Sequence, residues 1–329
     1  MAAEQLIDTY GRVHRDLRIS VTDRCNFRCQ YCMPEEGMEW LPREELLTFE
    51  EIEQVARILV NRYGIDSIRL TGGEPTIRAK LPVLIEKLAK LDVDLAITTN
   101  GATLAGGQAQ ALKDAGLKRI NISLDSFDRD RFIELTRRDD LQKVLDGIDA
   151  AVDAGFDPVK LNAVMMRGIN DDELLDFARF GREKGVQVRF IEFMPLDASG
   201  QWSDATVISQ QEIVDTIGAE FPIEPVTRTS APANRYRYLD GKGEFGVVPT
   251  VSDSFCGNCD RVRLTADGQF RNCLFAVDEF DLRSLVRSGA SDDEIAAKMD
   301  EAVKAKWAGN QVGQVTFIRP KRSMSQIGG

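Results

Sequence analysis

Short runs of alternating apolar and polar residues recur along the first two thirds of the chain, separated by stretches whose apolar residues fall three and four apart. The alternating runs at 17–21, 67–71, 95–99, 119–125, 159–164 and 188–194 predict strands. Between them, sets such as Ile52, Val55, Ala56 and Leu59, or Leu141, Val144, Leu145 and Ile148, line one face of a helix. Thr48 followed by Glu51 is a capping box, each side chain reaching a backbone N–H that the first helical turn leaves free. Strand–helix units repeated in this way predict parallel strands joined by right-handed crossovers.

The polarity of the strands separates an open doubly wound sheet from a barrel. Strands covered by helices on both faces read as almost continuous apolar runs. Here Leu17, Ile19 and Val21 alternate with Arg18, Ser20 and Thr22, and Ile68 and Leu70 with Ser67, Arg69 and Thr71. Ile120, Ile122 and Leu124 alternate with Asn121, Ser123 and Asp125, while Lys160 and Asn162 flank Leu161. With helices outside, the polar phase must line a lumen. A closed barrel of eight strands fills its interior with branched apolar side chains, so a polar interior predicts a wider, incompletely closed one. The expected fold is α/β, a partial (βα)6 TIM-like barrel over residues 1–221. From 222 to 329 the pattern changes to a smaller α+β element. YRYLDGKGEFGVV and RVRLTADGQFRNCLF read as hairpins turning at Asp240-Gly241 and Asp267-Gly268. A helix over 291–307 follows, opened by a second capping box from Ser291 to Glu294.

The 329 residues carry 42 Lys and Arg against 53 Asp and Glu, a net charge of −11. A chain this acidic is not built to hold nucleic acid through its general field, and an anionic small molecule would need a local cationic pocket. No apolar run is long enough to span a membrane, and the N-terminus has no apolar signal core, so a cytoplasmic location is expected. His14 is the only histidine, which removes Cys2His2 zinc sites and histidine-based triads. All six cysteines fall in two triples, and clustered thiols in an unprocessed cytosolic chain point to metal or redox chemistry rather than disulfides.

Cys25-x3-Cys29-x2-Cys32 lies on one loop directly after the first strand. Three thiolates can hold three irons of a cubane cluster and leave the fourth open to a substrate, whereas four would complete an electron carrier. The second triple is Cys256-x2-Cys259-x13-Cys273. Zinc is the competing reading there, because Cys-x2-Cys opens many zinc sites; no fourth cysteine or nearby histidine is available, and Asp260 would serve only awkwardly. Thr71-Gly72-Gly73-Glu74-Pro75 ends the second strand, and its glycines let backbone approach a ligand closely. Arg18, Arg69 and Lys160 share the lumen-facing strand phase, and Arg261 and Arg263 share one face beside the second triple. Cations converging on one lumen suit a polyphosphate, which arginine forks bind bidentately.

The first triple, with Tyr31 before its last cysteine, and the Gly-Gly-Glu-Pro motif together resemble the radical SAM (S-adenosylmethionine) superfamily. Within it the chain, from YGRVHRDLRISVTDRCNFRC to SQIGG, resembles the GTP 3′,8-cyclase family of molybdenum-cofactor biosynthesis. Thr76-Ile77 after Gly-Gly-Glu-Pro is a small departure, since leucine is familiar there. The resemblance implies a 4Fe–4S cluster on each triple, with SAM on the open iron of the first and guanine on that of the second. It implies SAM contacts at Tyr31, Gly73, Ser123 and Met194, and GTP contacts at Arg18, Arg69, Thr99, Lys160, Arg261, Val262 and Arg263. Arg261 and Arg263 are implied to be catalytic, together with Gly328 and Gly329, a terminal pair that enters the site and orients arginines. The implied reaction uses a SAM-derived radical to take hydrogen from C3′ of GTP, after which C3′ closes on guanine C8. The implied partners are GTP, a reduced flavodoxin- or ferredoxin-type donor and cyclic pyranopterin monophosphate synthase as the next enzyme, with a homodimer also admissible. Two other classes stand beside this one: a radical SAM peptide-maturation enzyme with an auxiliary cluster, and a non-catalytic iron–sulfur electron carrier or redox sensor.

Overall fold

Parallel strands follow one another in chain order around an incomplete barrel: β1 (Asp16–Ser20), β2 (Ser67–Thr71), β3 (Asp94–Thr99), β4 (Arg119–Ser123), β5 (Lys160–Met165) and β6 (Gln187–Glu192). The computed structural model describes residues 4–34, 38–196, 200, 202–227, 232–310, 312, 317–318 and 320–328. Helices α1 (Phe49–Tyr63), α2 (Leu81–Ala89) and α3 (Gln108–Asp114) make the first crossovers. The pair α4 (Arg129–Thr136) and α5 (Leu141–Asp153) joins β4 to β5, and α6 (Leu174–Lys184) joins β5 to β6. Each strand lies within two residues of its expected position. The capping box of α1 forms as expected, Glu51 N–H donating to Thr48 Oγ1 at 3.2 Å and Thr48 N–H to Glu51 Oε2 at 2.7 Å.

The helices bury the apolar strand phase. Leu17, Ile19, Ile68, Leu70, Leu95, Ile97, Ile120, Ile122 and Leu161 are all buried in one core with Ile52, Val55, Ala56 and Leu59 of α1. Each such side chain contributes about 1.5–3 kcal/mol when removed from water, so the strand phase is firmly fixed. A one-residue slip would place arginines in that core. On the opposite face, Arg18 stands beside Arg69 and Arg263, Asn121 beside Lys160, and Asn162 beside Arg189.

After β6 come α7 (Gln210–Glu220), β7 (Ile223–Pro225), β8 (Asn234–Tyr238), β9 (Glu244–Val248), β10 (Arg261–Leu264), β11 (Gln269–Arg271) and β12 (Phe280–Asp281), then α8 (Arg283–Arg287), α9 (Asp292–Lys304) and α10 (Met324–Ile327). The expected hairpins are β8–β9 and β10–β11, both antiparallel. Their destinations were not legible in the pattern: β9 pairs parallel with β6, and β10 pairs parallel with β1. Among the described residues all strands belong to one 12-stranded sheet, in the order β12-β11-β10-β1-β2-β3-β4-β5-β6-β9-β8-β7. An incomplete barrel exposes two edges of unpaired N–H and C=O groups, and the C-terminal strands cover both. They thereby carry their own functional residues to either side of the lumen. No helix among the described residues is long and apolar enough to cross a membrane.

Candidate active site

One cavity runs up the lumen, and both cysteine triples line it. The first triple sits on the loop after β1. Cys32 and Met33 N–H groups both donate to the Cys29 carbonyl at 2.9 Å, folding the loop into a tight turn. The loop's outward carbonyls are taken by arginines. Arg28 donates to Cys25 and Phe27 at 2.7 Å, Arg138 to Asn26 at 2.9 Å, and Arg137 to Arg28 at 3.1 Å. With the carbonyls satisfied outside, the thiols turn toward the cavity. Burial, helped by the Glu74 carboxylate, pushes the Cys25 thiol up to about 11. Burial and the neighbouring Cys25 push Cys32 up to about 12, and Cys29 is raised as well, by burial and then by Cys32 and Asp125. Such thiols stay protonated until a metal takes the place of the proton.

The end of β2 lies flat against this loop because it is glycine. Gly72 has φ +141°, and a Cβ there would stand 2.3 Å from the Thr22 carbonyl oxygen. A Cβ on Gly73 would stand 2.2 Å from the Arg24 carbonyl oxygen. Glu74, buried behind them, accepts from Thr76 N–H at 3.0 Å, Thr76 Oγ1 at 2.5 Å, Thr99 Oγ1 at 2.6 Å and Asn100 N–H at 2.6 Å. The departure at Thr76 is therefore used, and Thr99 lines the cavity with its hydroxyl committed to Glu74. Tyr31 donates to Asp125 Oδ2 at 2.6 Å, whose Oδ1 accepts from Val164 N–H at 2.8 Å. Burial pushes the Asp125 carboxyl up to about 6. Gly73, Ser123 at the end of β4 and Met194 just beyond β6 complete this end of the cavity.

The second triple is tethered from β6. Buried Glu192 accepts from Val251 and Ser252 N–H, both at 2.8 Å, and so fixes the stretch that leads into Cys256. Cys256 lies within a short 3-10 turn, Phe255–Asn258, Cys259 caps its end, and Cys273 follows β11. Burial opposes ionisation of Cys259, yet Arg261 and Lys306 draw its thiol down to about 7. Arg261 lies over the Phe255 ring, 4.4 Å from its centroid.

Between the triples the wall is cationic. Arg18, Arg69, Arg261 and Arg263 all line the cavity, as the strand phase predicts. Arg18 approaches Asp16 only to 3.6 Å, and Nε of both Arg18 and Arg69 is buried without a hydrogen-bond partner. Burial and the adjacent Arg18 and Arg261 push Arg263 down to about 9. Arg189 lines the cavity too and escaped the sequence reading, although it alternates with Val188 and Phe190 as Arg18 does with Leu17 and Ile19. Two expectations need refinement. Lys160 keeps the lumen phase but lies behind the cavity wall, where burial and then Arg189, Arg119 and Arg69 push its ammonium down to about 7. Val262 faces the helix-packed core in register with Leu17, leaving only its backbone between the two arginines.

The C-terminal tail is part of the site. Met324 lines the cavity, and the Ser325 N–H points to the Cys32 sulfur. The Gly328 carbonyl accepts from Arg263. Gly328 has φ +78°, and a Cβ there would stand 2.6 Å from Ser20 Oγ and 2.7 Å from Thr71 Cγ2. Gly329 lies outside the described residues.

Comparison with known proteins agrees with this geometry. The profile of the Radical SAM superfamily matches residues 19–181, and that of Molybdenum Cofactor Synthesis C matches 186–312. A solved structure of Streptococcus suis SuiB aligns with TM-score 0.64 over 90% of this chain and 68% of that one, at 12% identity, a likeness of fold alone. The GTP 3′,8-cyclase of Rhodopirellula baltica is 46% identical over 331 residues, covering 98% of this chain and 92% of that protein. That of Streptomyces coelicolor is 47% identical over 332 residues, covering 99% and 97%. With identity at this level along the whole length, through both cysteine triples, the chain belongs to the GTP 3′,8-cyclase family of radical SAM enzymes.

Proposed function

We propose that this protein is a lyase that converts GTP to (8S)-3′,8-cyclo-7,8-dihydroguanosine 5′-triphosphate, the first step of molybdenum-cofactor biosynthesis. The observation that carries the proposal is the single cavity, with a cysteine triple at each end and arginines from β1, β2, β6 and β10 between them. Both donor sets suit a 4Fe–4S cluster with one open iron. Each offers three thiols to the cavity, and the glycines that follow β2 let that strand end pack against the loop carrying the first. With a cluster and SAM bound there, reductive cleavage of SAM supplies the radical that joins C3′ of GTP to guanine C8.

The chain's own residues bind, orient and shield. Tyr31, Gly73, Ser123 and Met194 surround SAM at the first triple, and Asp125 holds Tyr31 in place. Arg18, Arg69, Arg189, Arg261 and Arg263 receive the triphosphate, with Lys160 adding charge from behind and Thr99 bracing the Glu74 loop. Cys256, Cys259 and Cys273 would hold the second cluster, whose open iron would take the guanine. Gly328 fixes Arg263 through its carbonyl, and Gly329 extends the same tail. An electron donor of flavodoxin or ferredoxin type and cyclic pyranopterin monophosphate synthase fit before and after this step. The fold likeness to SuiB, at 12% identity, gives no support to a peptide substrate. Anaerobically reconstituted protein should consume GTP only when SAM and a reductant are both present, yielding the 3′,8-cyclised nucleotide by mass spectrometry. SAM cleavage with no GTP consumed would defeat the proposal.

A further inference from the structure

The only histidine marks a part of the molecule that the reaction above does not use. His14 is fully buried, with Nε2 3.6 Å from Asp8 Oδ2 and no hydrogen-bond partner on either ring nitrogen. It sits in a hook that precedes β1. Asp8 pairs with Arg12 at 2.5 Å, and Arg12 donates to the carbonyls of Cys256 at 2.8 Å, Trp307 at 2.6 Å and Ala308 at 2.9 Å. One guanidinium thus ties the first turn of the second triple to the segment that follows α9.

That segment carries Lys306, only 4% exposed. Its Nζ donates to the Arg261 carbonyl at 2.9 Å and to the Cys259 sulfur at 3.7 Å. No carboxylate lies within ion-pair distance of it among the described residues. Burial works against its ammonium; the sulfurs of Cys259 and Cys273 favour it, and Arg12 and Arg261 oppose it. A buried ammonium needs an anion close by; of the charged groups the sulfurs of the second triple act on Lys306 most strongly, and the Asp260 carboxylate lies within the same field. The hook contributes an Arg12 already paired with Asp8 and a buried ring, and the hydrogen bond from Nζ directs the charge on Lys306 at sulfur.

We propose that Lys306 is a positioning residue whose positive charge, hydrogen-bonded to the Cys259 sulfur, raises the reduction potential of the cluster held by Cys256, Cys259 and Cys273, with the Asp8–Arg12–His14 hook keeping it aimed. The reduced cluster carries one more negative charge than the oxidised one, so a hydrogen-bonded cation at a ligand sulfur favours reduction. This inference rests on the reading that the second triple holds an iron–sulfur cluster.

The test is an EPR-monitored redox titration of the reconstituted full chain. It is run first with both clusters present and then with Cys25, Cys29 and Cys32 replaced by alanine, so that the remaining signal belongs to the second cluster. Lys306→Met should lower the midpoint enough to cut the reduced-to-oxidised ratio about tenfold at the parent's midpoint, about 59 mV for one electron. Lys306→Gln, which retains a donor but no charge, should move in the same direction. Lys306→Arg should return close to the parent. Equal potentials in all four proteins, or equal displacement by Met and Arg, would overturn the charge argument. Loss of second-site iron in both neutral variants would overturn it in favour of a role in assembly. A parent with no second-cluster signal would remove the reading beneath it as well, and iron analysis tells that failure from the others.

Discussion

The two ends of the cavity use the same donor set in opposite electrostatic settings. At the first end burial pushes all three thiols up, with Glu74 adding at Cys25, Asp125 at Cys29 and Cys25 at Cys32, taking Cys25 to about 11 and Cys32 to about 12. At the second, burial raises Cys256 as well, but Arg261 and Lys306 face Cys259 and, against its burial, draw it down to about 7. The first setting suits a ligand that brings positive charge, as SAM does with its sulfonium and ammonium. The second suits an anion, and the arginines between the triples continue that preference along the wall. Cysteine spacing alone therefore does not set what each end binds; the groups around the sulfur do.

The sharpest way to break this comparison is to remove each end in turn. Replacing Cys25, Cys29 and Cys32 with alanine should abolish both SAM cleavage and GTP turnover, and halve an iron content of about eight per chain. Replacing Cys256, Cys259 and Cys273 should halve the iron equally while leaving SAM cleavage measurable without cyclisation. Anaerobic iron and sulfide analysis, with SAM and GTP turnover followed side by side, checks both outcomes. Stoichiometric zinc at the second triple would end the comparison.

The tail joins the first end to the cationic wall, because Ser325 reaches Cys32 while Gly328 reaches Arg263. Gly328→Ala forces a side chain into a φ of +78° and against Ser20 and Thr71. We expect GTP cyclisation to fall on the order of a hundredfold, since a small displacement of a catalytic group costs that much. Iron content and thermal stability should hold, because the substitution leaves the buried Ile327 in place to anchor the tail. Cyclisation at the parent rate would make the tail a bystander.

The barrel and both triples were legible because each is written locally. Period-two strands set the lumen phase of Arg18 and Arg69, and fixed spacings mark the cysteines. The same phase rule, extended to Val188-Arg189-Phe190, would have found Arg189. What could not be read was long-range pairing. Nothing local says that β10 lies beside β1, which is what brings Arg263 next to Arg18, or that the tail reaches both the first triple and Arg263. Lys160 shows the limit of phase alone. It faces inward as expected, but depth along the strand decides whether a lumen residue meets ligand or sits behind those that do.

Lys160 also offers the mildest test of the cationic wall, because its ammonium is pushed down to about 7 while an unfolded chain keeps that proton to about 10.5. Between those values the unfolded state binds a proton that the native state has shed, so stability rises with pH across the window and levels off above it. Lys160→Met should flatten that rise in thermal denaturation from pH 6.5 to 10 and raise stability at its lower end. GTP works against this: burial does most to keep Lys160 neutral, and a polyphosphate against Arg69 and Arg189 relieves the repulsion that Arg189, Arg119 and Arg69 add, drawing a proton back. At pH 8, calorimetry in buffers of different ionisation enthalpy should therefore record uptake of close to one proton on GTP binding, lost in Lys160→Met. Affinity should fall by less than the roughly tenfold, about 1.5 kcal/mol, that loss of a direct phosphate contact costs, because the ammonium acts from behind the wall. A tenfold or larger loss would move Lys160 into contact with GTP. No proton uptake in the parent would mean that the wall is not where the polyphosphate binds.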